Sequence, residues 1–229
     1  MDRLRVLHGA GPGAQAEVDG ARTLLREVVA GAGETLRIYR PSGPTVAFGR
    51  SDTLRTGYDS AVAAARAHGF KPVVRSVGGR AVAYDSTCLV LDHAAPEPQR
   101  SLDTSRRFDD FGRLYADALA GLGVDARVGE VPAEYCPGPF SVNARGAAKL
   151  VGTAQRVTRG GWVFSAVVVV DGAARLREVL APVYAGIDMA FEPASVGAVA
   201  DEVPGVTEDD VEDAVLDQYA RRWELGRPG

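Results

Sequence analysis

The sequence predicts an α+β domain built around a largely antiparallel or mixed sheet that is flanked by helices. Helix and strand patterns both occur but do not alternate regularly, and two long apolar runs face each other across "TRGG" (158–161). A doubly wound parallel sheet needs regular alternation, so it is disfavoured. The chain has 229 residues and no internal repeat. We therefore expect one domain over residues 1–229, with no accessory domain at the C-terminal end.

The first half of the chain predicts two helices and several short strands. "TLRIYR" and "TVAFG" indicate strands joined by the turn "PSGP", and "YDSAVAAARAHGF" indicates a helix that a glycine ends. "KPVVRSV" then indicates a strand, and "RAVAYDSTCLVLDH" a strand, a turn and a strand. Before them, "AEVDGARTLLREVVA" (16–30) predicts an amphipathic helix. Its apolar face is predicted to hold Val18, Ala21, Leu25, Val28 and Val29.

The second half predicts a helix from about Ser105 to Leu122 and then a long hairpin. The hairpin strands flank "TRGG", whose glycines can adopt the positive φ of a tight turn. A final helix is predicted to begin after Thr207 as N-cap, with three acidic residues in its first turn. Its apolar stripe is predicted to hold Val211, Val215, Tyr219 and Trp223.

Composition excludes several classes of function. The formal net charge is −4 and the pI is about 5.5, which argues against a general affinity for nucleic acid or anionic membranes. No apolar run approaches the roughly 18 residues of a membrane span, and no apolar signal segment follows Met1, so we expect a cytoplasmic protein. Two cysteines and three scattered histidines share no metal-ligand spacing. We expect no metal site.

The two cysteines stand in different contexts. Cys88 lies in the alternating strand pattern "STCLVLDH", where a free cysteine is typically a small buried hydrophobe. Cys136 is followed by "PGP", through which no regular helix or strand can run, so it lies on a loop. A loop thiol has the access that a nucleophile needs, although the residues alone leave a structural role equally open.

Lysine is rare in this chain, which makes Lys149 a candidate functional residue. Of the 26 lysine and arginine residues only Lys71 and Lys149 are lysines. Lys149 lies between small residues that could exclude water, and a lysine in such a setting can act as a base or stabilise a nearby thiolate. The alternative is an exposed lysine on an edge strand, which describes Lys71 well because that residue precedes a proline at a strand start.

A third candidate is "RSVGGRAVAYD" (75–85). Its two glycines allow the main chain to approach a ligand closely, and their amides with Arg75 or Arg80 could hold a carbonyl or a phosphate. A glycine pair is also common in simple tight turns. The common nucleotide-binding patterns, Walker A and G-x-G-x-x-G, do not occur.

Three blocks resemble the signature segments of the family of lipoate-protein ligase A and the lipoate/octanoate transferases. In order they are "TVAFGRSD", "VVRSVGGRAVAYD" and "NARGAAKLVGTAQRVTRGG", and the resemblance spans roughly residues 16–170. "EYCPGPFSVN" is similar to the segment that carries the catalytic cysteine of the cysteine-dependent octanoyl amidotransferases. The family shares its fold with biotin protein ligases, so the resemblance implies a biotin/lipoate protein ligase-like catalytic domain.

The resemblance implies a function and assigns residues to it. Cys136 would be the acyl-accepting nucleophile and Lys149 the pocket lysine. An octanoyl or lipoyl group would pass from an acyl thioester donor, through an enzyme thioester, to the lysine of a lipoyl carrier domain. That carrier would be the glycine cleavage H protein or a 2-oxoacid dehydrogenase lipoyl domain, and no cofactor would be required. The substrate-binding positions would be Arg75, Gly78, Gly79, Arg80, Ala81, Gly49, Gly152, Thr153 and Ala154.

Departures from the ligase pattern keep two alternatives open. Ligases carry a third glycine where this chain has Arg80, and a His-Asp pair where it has Tyr84 and Asp85. An ATP-dependent lipoate ligase, using ATP and magnesium to form an acyl-adenylate, would not require Cys136. A non-catalytic member that only binds an acyl group or a carrier would have no use for both Cys136 and Lys149.

Overall fold

A computed structural model, which describes residues 2–97 and 104–226, confirms the α+β class. The described residues form eleven strands and six α-helices. The strands are β1 (Asp2–His8), β2 (Thr35–Tyr39), β3 (Thr45–Phe48), β4 (Lys71–Val74), β5 (Val82–Tyr84), β6 (Cys88–Glu97), β7 (Ala126–Val128), β8 (Val142–Ala144), β9 (Ala148–Thr158), β10 (Gly160–Val169) and β11 (Trp223–Gly226). The helices are α1 (Ala14–Glu27), α2 (Tyr58–Ala67), α3 (Thr104–Gly121), α4 (Ala173–Gly186), α5 (Val199–Glu202) and α6 (Glu208–Ala220).

The large sheet is mixed and has eight strands in the order β11-β1-β2-β6-β10-β9-β8-β7. β1 pairs in parallel with both β11 and β2, and the other neighbours are antiparallel. The predicted hairpin around "TRGG" is β9 and β10, and Gly160 at its turn has a φ of +94°. Such a φ strains residues with a side chain, which explains the glycine.

The small sheet has three strands in the order β4-β3-β5. The turn "PSGP" therefore leads from β2 in the large sheet to β3 in the small one, instead of closing a hairpin. Both edges of β2 are already paired, with β1 and β6, so no edge is free for β3. Residues 85–87 make the return crossing from β5 to β6. The two crossings set the small sheet beside the large one, with α2 and α4 packed together against it.

Two local predictions are wrong. Val29 was expected on the buried face of the first helix but is 44% exposed. The α-helix ends at Glu27, and a wider turn over Val28–Ala32 follows, so the 3.6-residue spacing no longer holds there. Trp223 was expected on the last helix, yet α6 ends at Ala220 and Trp223 begins β11. The predicted N-cap is confirmed, because the Thr207 hydroxyl accepts from the Asp210 N–H at 3.2 Å.

Among the described residues, no helix is long and apolar enough to cross a membrane.

Candidate active site

Cys136 lies on the loop of residues 134–140, called the thiol loop below, between β7 and β8. The predicted loop setting is confirmed, and the residue has a φ of +43°, which is uncommon for a residue with a side chain. Its main-chain N–H donates to the Tyr184 hydroxyl at 2.5 Å, and that hydroxyl donates to the Ala81 carbonyl at 2.9 Å. Tyr184 thus ties the thiol loop to α4 and to the chain just before β5. Burial raises the pKa of the Tyr184 phenol well above its usual value, so the hydroxyl stays protonated.

The sulfur of Cys136 receives two N–H groups from residues 75–80, called the glycine loop below. The main-chain N–H of Arg80 lies 3.1 Å from Sγ, and Nη2 of Arg75 lies 3.4 Å from it. The same Nη2 donates to the Arg80 carbonyl at 2.6 Å, which fixes the guanidinium. These contacts fix the position of the sulfur and place a positive charge and an amide dipole beside it, where negative charge can be stabilised during nucleophilic attack.

Two glycines allow this close approach. A Cβ at Gly79, whose φ is +100°, would lie 2.7 Å from Sγ of Cys136 and 2.4 Å from Nη2 of Arg75. A Cβ at Gly49 would lie 1.9 Å from the Gly79 carbonyl oxygen. The Gly49 amide is fixed in turn by the buried carboxylate of Asp52, at 2.9 Å. Each of the two positions therefore has room only for a glycine, and together they seat the glycine loop against the thiol.

Lys149 lies beneath the thiol loop with a side chain that is 1% exposed. Its Nζ donates to Glu134 Oε1 at 3.0 Å and to the carbonyl oxygens of Tyr135 and Cys136 at 3.0 and 2.9 Å. It also lies 4.6 Å from the centre of the Tyr135 ring. All three N–H groups of the ammonium therefore have an acceptor, and none of these acceptors is the sulfur. The side chain holds the main chain that carries Cys136.

Glu134 is a residue that sequence reasoning missed. Its carboxylate is fully buried, and besides Lys149 it accepts from the Ser141 hydroxyl at 2.5 Å and from the main-chain N–H of Val131 and Gly138 at 3.0 and 3.2 Å. A buried lysine requires a nearby anion. The sequence does show this acidic residue inside "EYCPGPFSVN", the segment that carries Cys136. That was the signal that could have identified Glu134.

The thiol opens on a cavity of about 550 Å³, called the cleft below. Of the predicted substrate-binding residues, Gly78, Gly79, Thr153 and Ala154 line the cleft together with Cys136. Aromatic rings at the cleft come from Phe108 and Phe140, which stack with centroids 5.7 Å apart.

The remaining predicted positions do not line the cleft. Gly152 faces the stem of Lys149, since a Cβ there would lie 3.4 Å from Cε. Ala81 is buried beside Tyr184, and Gly49 is buried under Gly79. The Arg80 side chain donates to Ser51 Oγ at 3.0 Å. The structure therefore gathers all the predicted positions around one loop pair, although only some of them face the cleft.

A second, narrow cavity of about 40 Å³, called the slot below, lies behind the glycine loop. Arg75 and Val77 of the glycine loop line it together with Ala47 and Val82, and Nη2 of the same Arg75 lies 3.4 Å from Sγ of Cys136. Within residues 2–97 and 104–226, no three histidine, cysteine, aspartate or glutamate side chains are placed to hold a metal ion.

Comparison with known proteins identifies the family of the chain. Residues 17–220 match the family described as the lipoyl protein ligase A/B catalytic domain. The chain is 32% identical over 149 residues to an octanoyl-GcvH:protein N-octanoyltransferase of Geobacillus kaustophilus, covering 64% of this chain and 52% of that protein. It is 28% identical over 136 residues to a lipoyl-GcvH:protein N-lipoyltransferase of Listeria monocytogenes, covering 59% and 49%. The chain thus spans about half the length of these curated relatives.

The fold is also similar to that of a lipoate-protein ligase A solved with bound ATP. The TM-score is 0.75 at 19% identity, and the match covers 100% of this chain and 89% of that one. At this identity the similarity establishes the fold, which is the expected ligase-type catalytic fold.

Proposed function

The chain belongs to the lipoyl protein ligase A/B catalytic domain family, and on that premise we propose that it is an acyltransferase. It would move an octanoyl or lipoyl group from a thioester donor to the lysine of a lipoyl carrier domain, by way of a thioester on Cys136. The carrier would be the glycine cleavage H protein or a 2-oxoacid dehydrogenase lipoyl domain. The reaction would require no cofactor and would take place in the cytoplasm. Names of transferase relatives that refer to GcvH support this proposal.

The observation that carries the proposal is the setting of the Cys136 thiol. It opens on the cleft and faces two N–H donors, one of which belongs to a guanidinium. A cysteine placed only for packing needs neither access to a cleft nor N–H donors beside its sulfur. A nucleophile needs both access and stabilisation of its anion.

In the first half-reaction, Sγ of Cys136 attacks the carbonyl carbon of the donor thioester. The bond from that carbon to the donor sulfur breaks, and the donor leaves as a thiolate that takes up a proton. As the carbonyl oxygen becomes an anion, N–H groups near the sulfur can stabilise it, and those of Arg75 and Arg80 are the nearest. In the second half-reaction the neutral amine of the carrier lysine attacks the enzyme thioester, the bond from the acyl carbon to Sγ breaks, and the Cys136 thiolate leaves and takes up the proton that the amine nitrogen loses.

Lys149 is proposed as a positioning residue in this scheme. Its three hydrogen bonds hold Glu134 and the main chain of residues 135 and 136. A lysine acting as base must give up a proton, which here would leave the buried Glu134 carboxylate without its cation. These contacts support a role in fixing the sulfur against the glycine loop over the base role that the sequence suggested.

The acyl chain is proposed to lie in the slot. Ala47 belongs to the "TVAF" strand and Val82 to the "RAVA" segment, which are the two stretches expected to form an apolar wall. Burying each methylene contributes about 0.8 kcal/mol. The empty slot is only about 40 Å³, so an eight-carbon chain would have to widen it by moving side chains of its wall.

The test is to follow the mass of the intact protein after incubation with an octanoyl thioester donor, without ATP or magnesium. We expect one added acyl group that hydroxylamine removes, located on Cys136, followed by transfer to a lipoyl carrier domain. A thioester donor is already activated, whereas a free carboxylate must first be adenylated. Carrier modification from free acid and ATP by the Cys136→Ser variant would establish the ligase alternative. Acyl binding without any transfer would establish the non-catalytic one.

A further inference from the structure

A cavity of about 320 Å³, called the basic cavity below, adjoins the cleft. The two cavities share Gly78, Gly79 and Gln155 in their walls. The other residues that line the basic cavity are Arg50, Ser51, Ser76, Val77 and Arg156. Within the described part of the chain, no aspartate or glutamate lines it. A protein with a formal net charge of −4 therefore has a local positive site next to its candidate nucleophile.

Two donors of the basic cavity lack an acceptor. The Arg50 side chain is exposed and makes no hydrogen bond or ion pair within residues 2–97 and 104–226. The Ser76 hydroxyl is buried and has no hydrogen-bond partner there either. Nη1 of Arg156, by contrast, donates to the Ser76 carbonyl at 2.9 Å. A buried hydroxyl without an acceptor is costly, so an anion that enters this cavity would gain contacts from Arg50 and Ser76.

Residues 50–54, called the rim segment below, connect the basic cavity to the thiol. Nη1 of Arg80 donates to Ser51 Oγ at 3.0 Å, and the main-chain N–H of the same Arg80 lies 3.1 Å from Sγ of Cys136. Leu54, at the end of the rim segment, is 84% exposed. Because the two cavities share a wall, a protein that covers the cleft would meet the rim segment as well.

The proposed second half-reaction needs such a protein, because the acceptor lysine belongs to a folded carrier domain. A lysine in water is cationic, whereas the guanidinium of Arg75 lies 3.4 Å from the sulfur and the basic cavity lies beside it. A bare lysine would therefore be repelled on approach. A carboxylate next to that lysine would offset the repulsion and would be complementary to the basic cavity.

We propose that the basic cavity and the rim segment dock the carrier domain through a carboxylate that lies beside its acceptor lysine. The carboxylate accepts from Arg50 and Ser76, Leu54 provides an apolar contact at the edge, and the lysine enters the cleft. This inference rests on the proposed acyl transfer and assigns Arg50 and Leu54 as residues that determine which lysine is modified. Lysines without a neighbouring carboxylate are disfavoured, so the site selects by repulsion as well as by attraction.

The test separates docking from chemistry by measuring the two half-reactions one at a time. Cys136 is first acylated with a small uncharged octanoyl thioester, and transfer to the glycine cleavage H protein is then followed in a single turnover at increasing carrier concentration. Arg50→Glu should lower the second-order rate constant of transfer about tenfold at low ionic strength. Salt should reduce that loss, because exposed charges are screened.

Leu54→Ser should lower the same rate constant about threefold at every salt concentration, because only apolar contact is lost. Neither variant should change the acylation of Cys136 by more than about twofold, since neither side chain touches the sulfur. The matched charge reversal is Arg66→Glu, because Arg66 is exposed on α2 and lines neither cavity. It should leave both half-reactions unchanged. Arg156 is not substituted, because its guanidinium also holds the chain of the glycine loop.

A compensating change in the carrier tests the contact itself. Each carboxylate around the acceptor lysine is changed in turn to lysine, and one such change should impair transfer by the unmodified enzyme and restore transfer by Arg50→Glu. Unchanged transfer by Arg50→Glu, an equal loss in Arg66→Glu, or the lack of any restoring change would overturn the inference. So would a loss confined to acylation by a phosphate-bearing donor, which would assign the basic cavity to the donor. Failure of the proposed function is recognised separately, because the unmodified protein would then form no transferable acyl adduct on Cys136.

Discussion

The two cysteines of this chain occupy opposite kinds of environment. Cys88 is fully buried in β6, and burial raises the pKa of its thiol to about 12, so the thiol stays protonated and inert. Cys136 is partly exposed on a loop, with an amide and a guanidinium aimed at its sulfur. The contrast teaches that the element carrying a thiol, and the donors that this element places around it, decide whether the thiol can react.

The two lysines also differ in burial, but here it is the buried residue that belongs to the candidate site. Lys71 is exposed at the start of β4, an edge strand of the small sheet, as the sequence indicated. Lys149 is buried and holds the loop of the reactive cysteine. The rare lysine and the accessible cysteine therefore belong to one unit, in which the exposed group is the nucleophile and the buried group is its support.

Removing each cysteine in turn gives the largest expected effect. Cys136→Ser should lower acyl transfer on the order of 10⁴-fold or more, because a serine hydroxyl without an adjacent base is a poor nucleophile. Cys88→Ala should retain most transfer activity.

Iodoacetamide at pH 8, followed by peptide mass analysis, should label Cys136 and not Cys88, because the Cys88 thiol becomes a thiolate only as the pH approaches its raised pKa. Full transfer by Cys136→Ser, or preferential labelling of Cys88, would reverse the comparison.

Substituting each lysine in turn tests whether Lys149 holds the thiol loop in place. Lys149→Met should lower the free energy of unfolding by about 3–5 kcal/mol, because it leaves the Glu134 carboxylate buried without its cation. Lys71→Met should change it by no more than about 0.5 kcal/mol, as expected for an exposed side chain. Urea denaturation measures both values.

A double variant separates charge from packing. Adding Glu134→Gln to Lys149→Met removes the unpaired charge, so the double variant should be more stable than the single one. If Lys149→Met were as stable as Lys71→Met, the buried pair would not be what holds the thiol loop.

Gly79→Ala tests the donors without touching the thiol itself. The added methyl would meet Sγ of Cys136 and Nη2 of Arg75 at less than contact distance, at a φ that alanine rarely adopts. Displacing the glycine loop by about 1 Å should reduce transfer on the order of 100-fold. Gly121→Ala at the end of α3, where a Cβ would meet nothing within 4 Å, is the control and should be fully active. Equal activity of the two variants would show that the close approach is not required.

Local patterns predicted much of the fold because its determinants are local. The prolines and glycine after Cys136 exclude regular structure whatever surrounds them, and the apolar residues around Cys88 predict a buried strand, which is β6. The hairpin of β9 and β10 is likewise encoded by its own turn. By contrast, β11 pairs in parallel with β1 at the other end of the chain, and no local pattern near Trp223 announces that partner. Helix α4 was not predicted either, and its interior Pro182 interrupts the usual helix pattern.

In the candidate site, too, features set by local sequence could be predicted and features set by distant partners could not. Cys136, Lys149 and the glycine loop were found from residue type and from the family resemblance, and their catalytic roles stay predictions. Glu134 and Tyr184 were missed because a hydrogen-bond partner is chosen by the fold. Tyr184 follows Cys136 by 48 residues and reaches its amide only because α4 packs behind the thiol loop.

Substituting Arg80 should give the smallest effect on transfer activity. It separates the contribution of the Arg80 main-chain N–H to the Cys136 site from that of the Arg80 side chain. Where the ligase pattern has a third glycine this chain has an arginine, but it is the main-chain N–H of Arg80 that lies 3.1 Å from Sγ. Its guanidinium is about one third exposed and reaches Asp52 at 3.4 Å, a contact worth at most about 1 kcal/mol in water. Arg80→Ala keeps the amide, so transfer should fall by less than about fivefold.

The informative partner of that variant is Arg75→Ala, which removes a guanidinium that touches the sulfur itself. Both substitutions delete one positive charge from the glycine loop. An effect of net charge alone would therefore lower transfer activity equally in the two variants. A specific effect of the donor on the thiolate predicts that Arg75→Ala loses far more transfer activity than Arg80→Ala, measured with the same donor and carrier. Equal losses would mean that the net charge of the glycine loop, and not the hydrogen bond to Sγ, separates the reactive cysteine from the inert one.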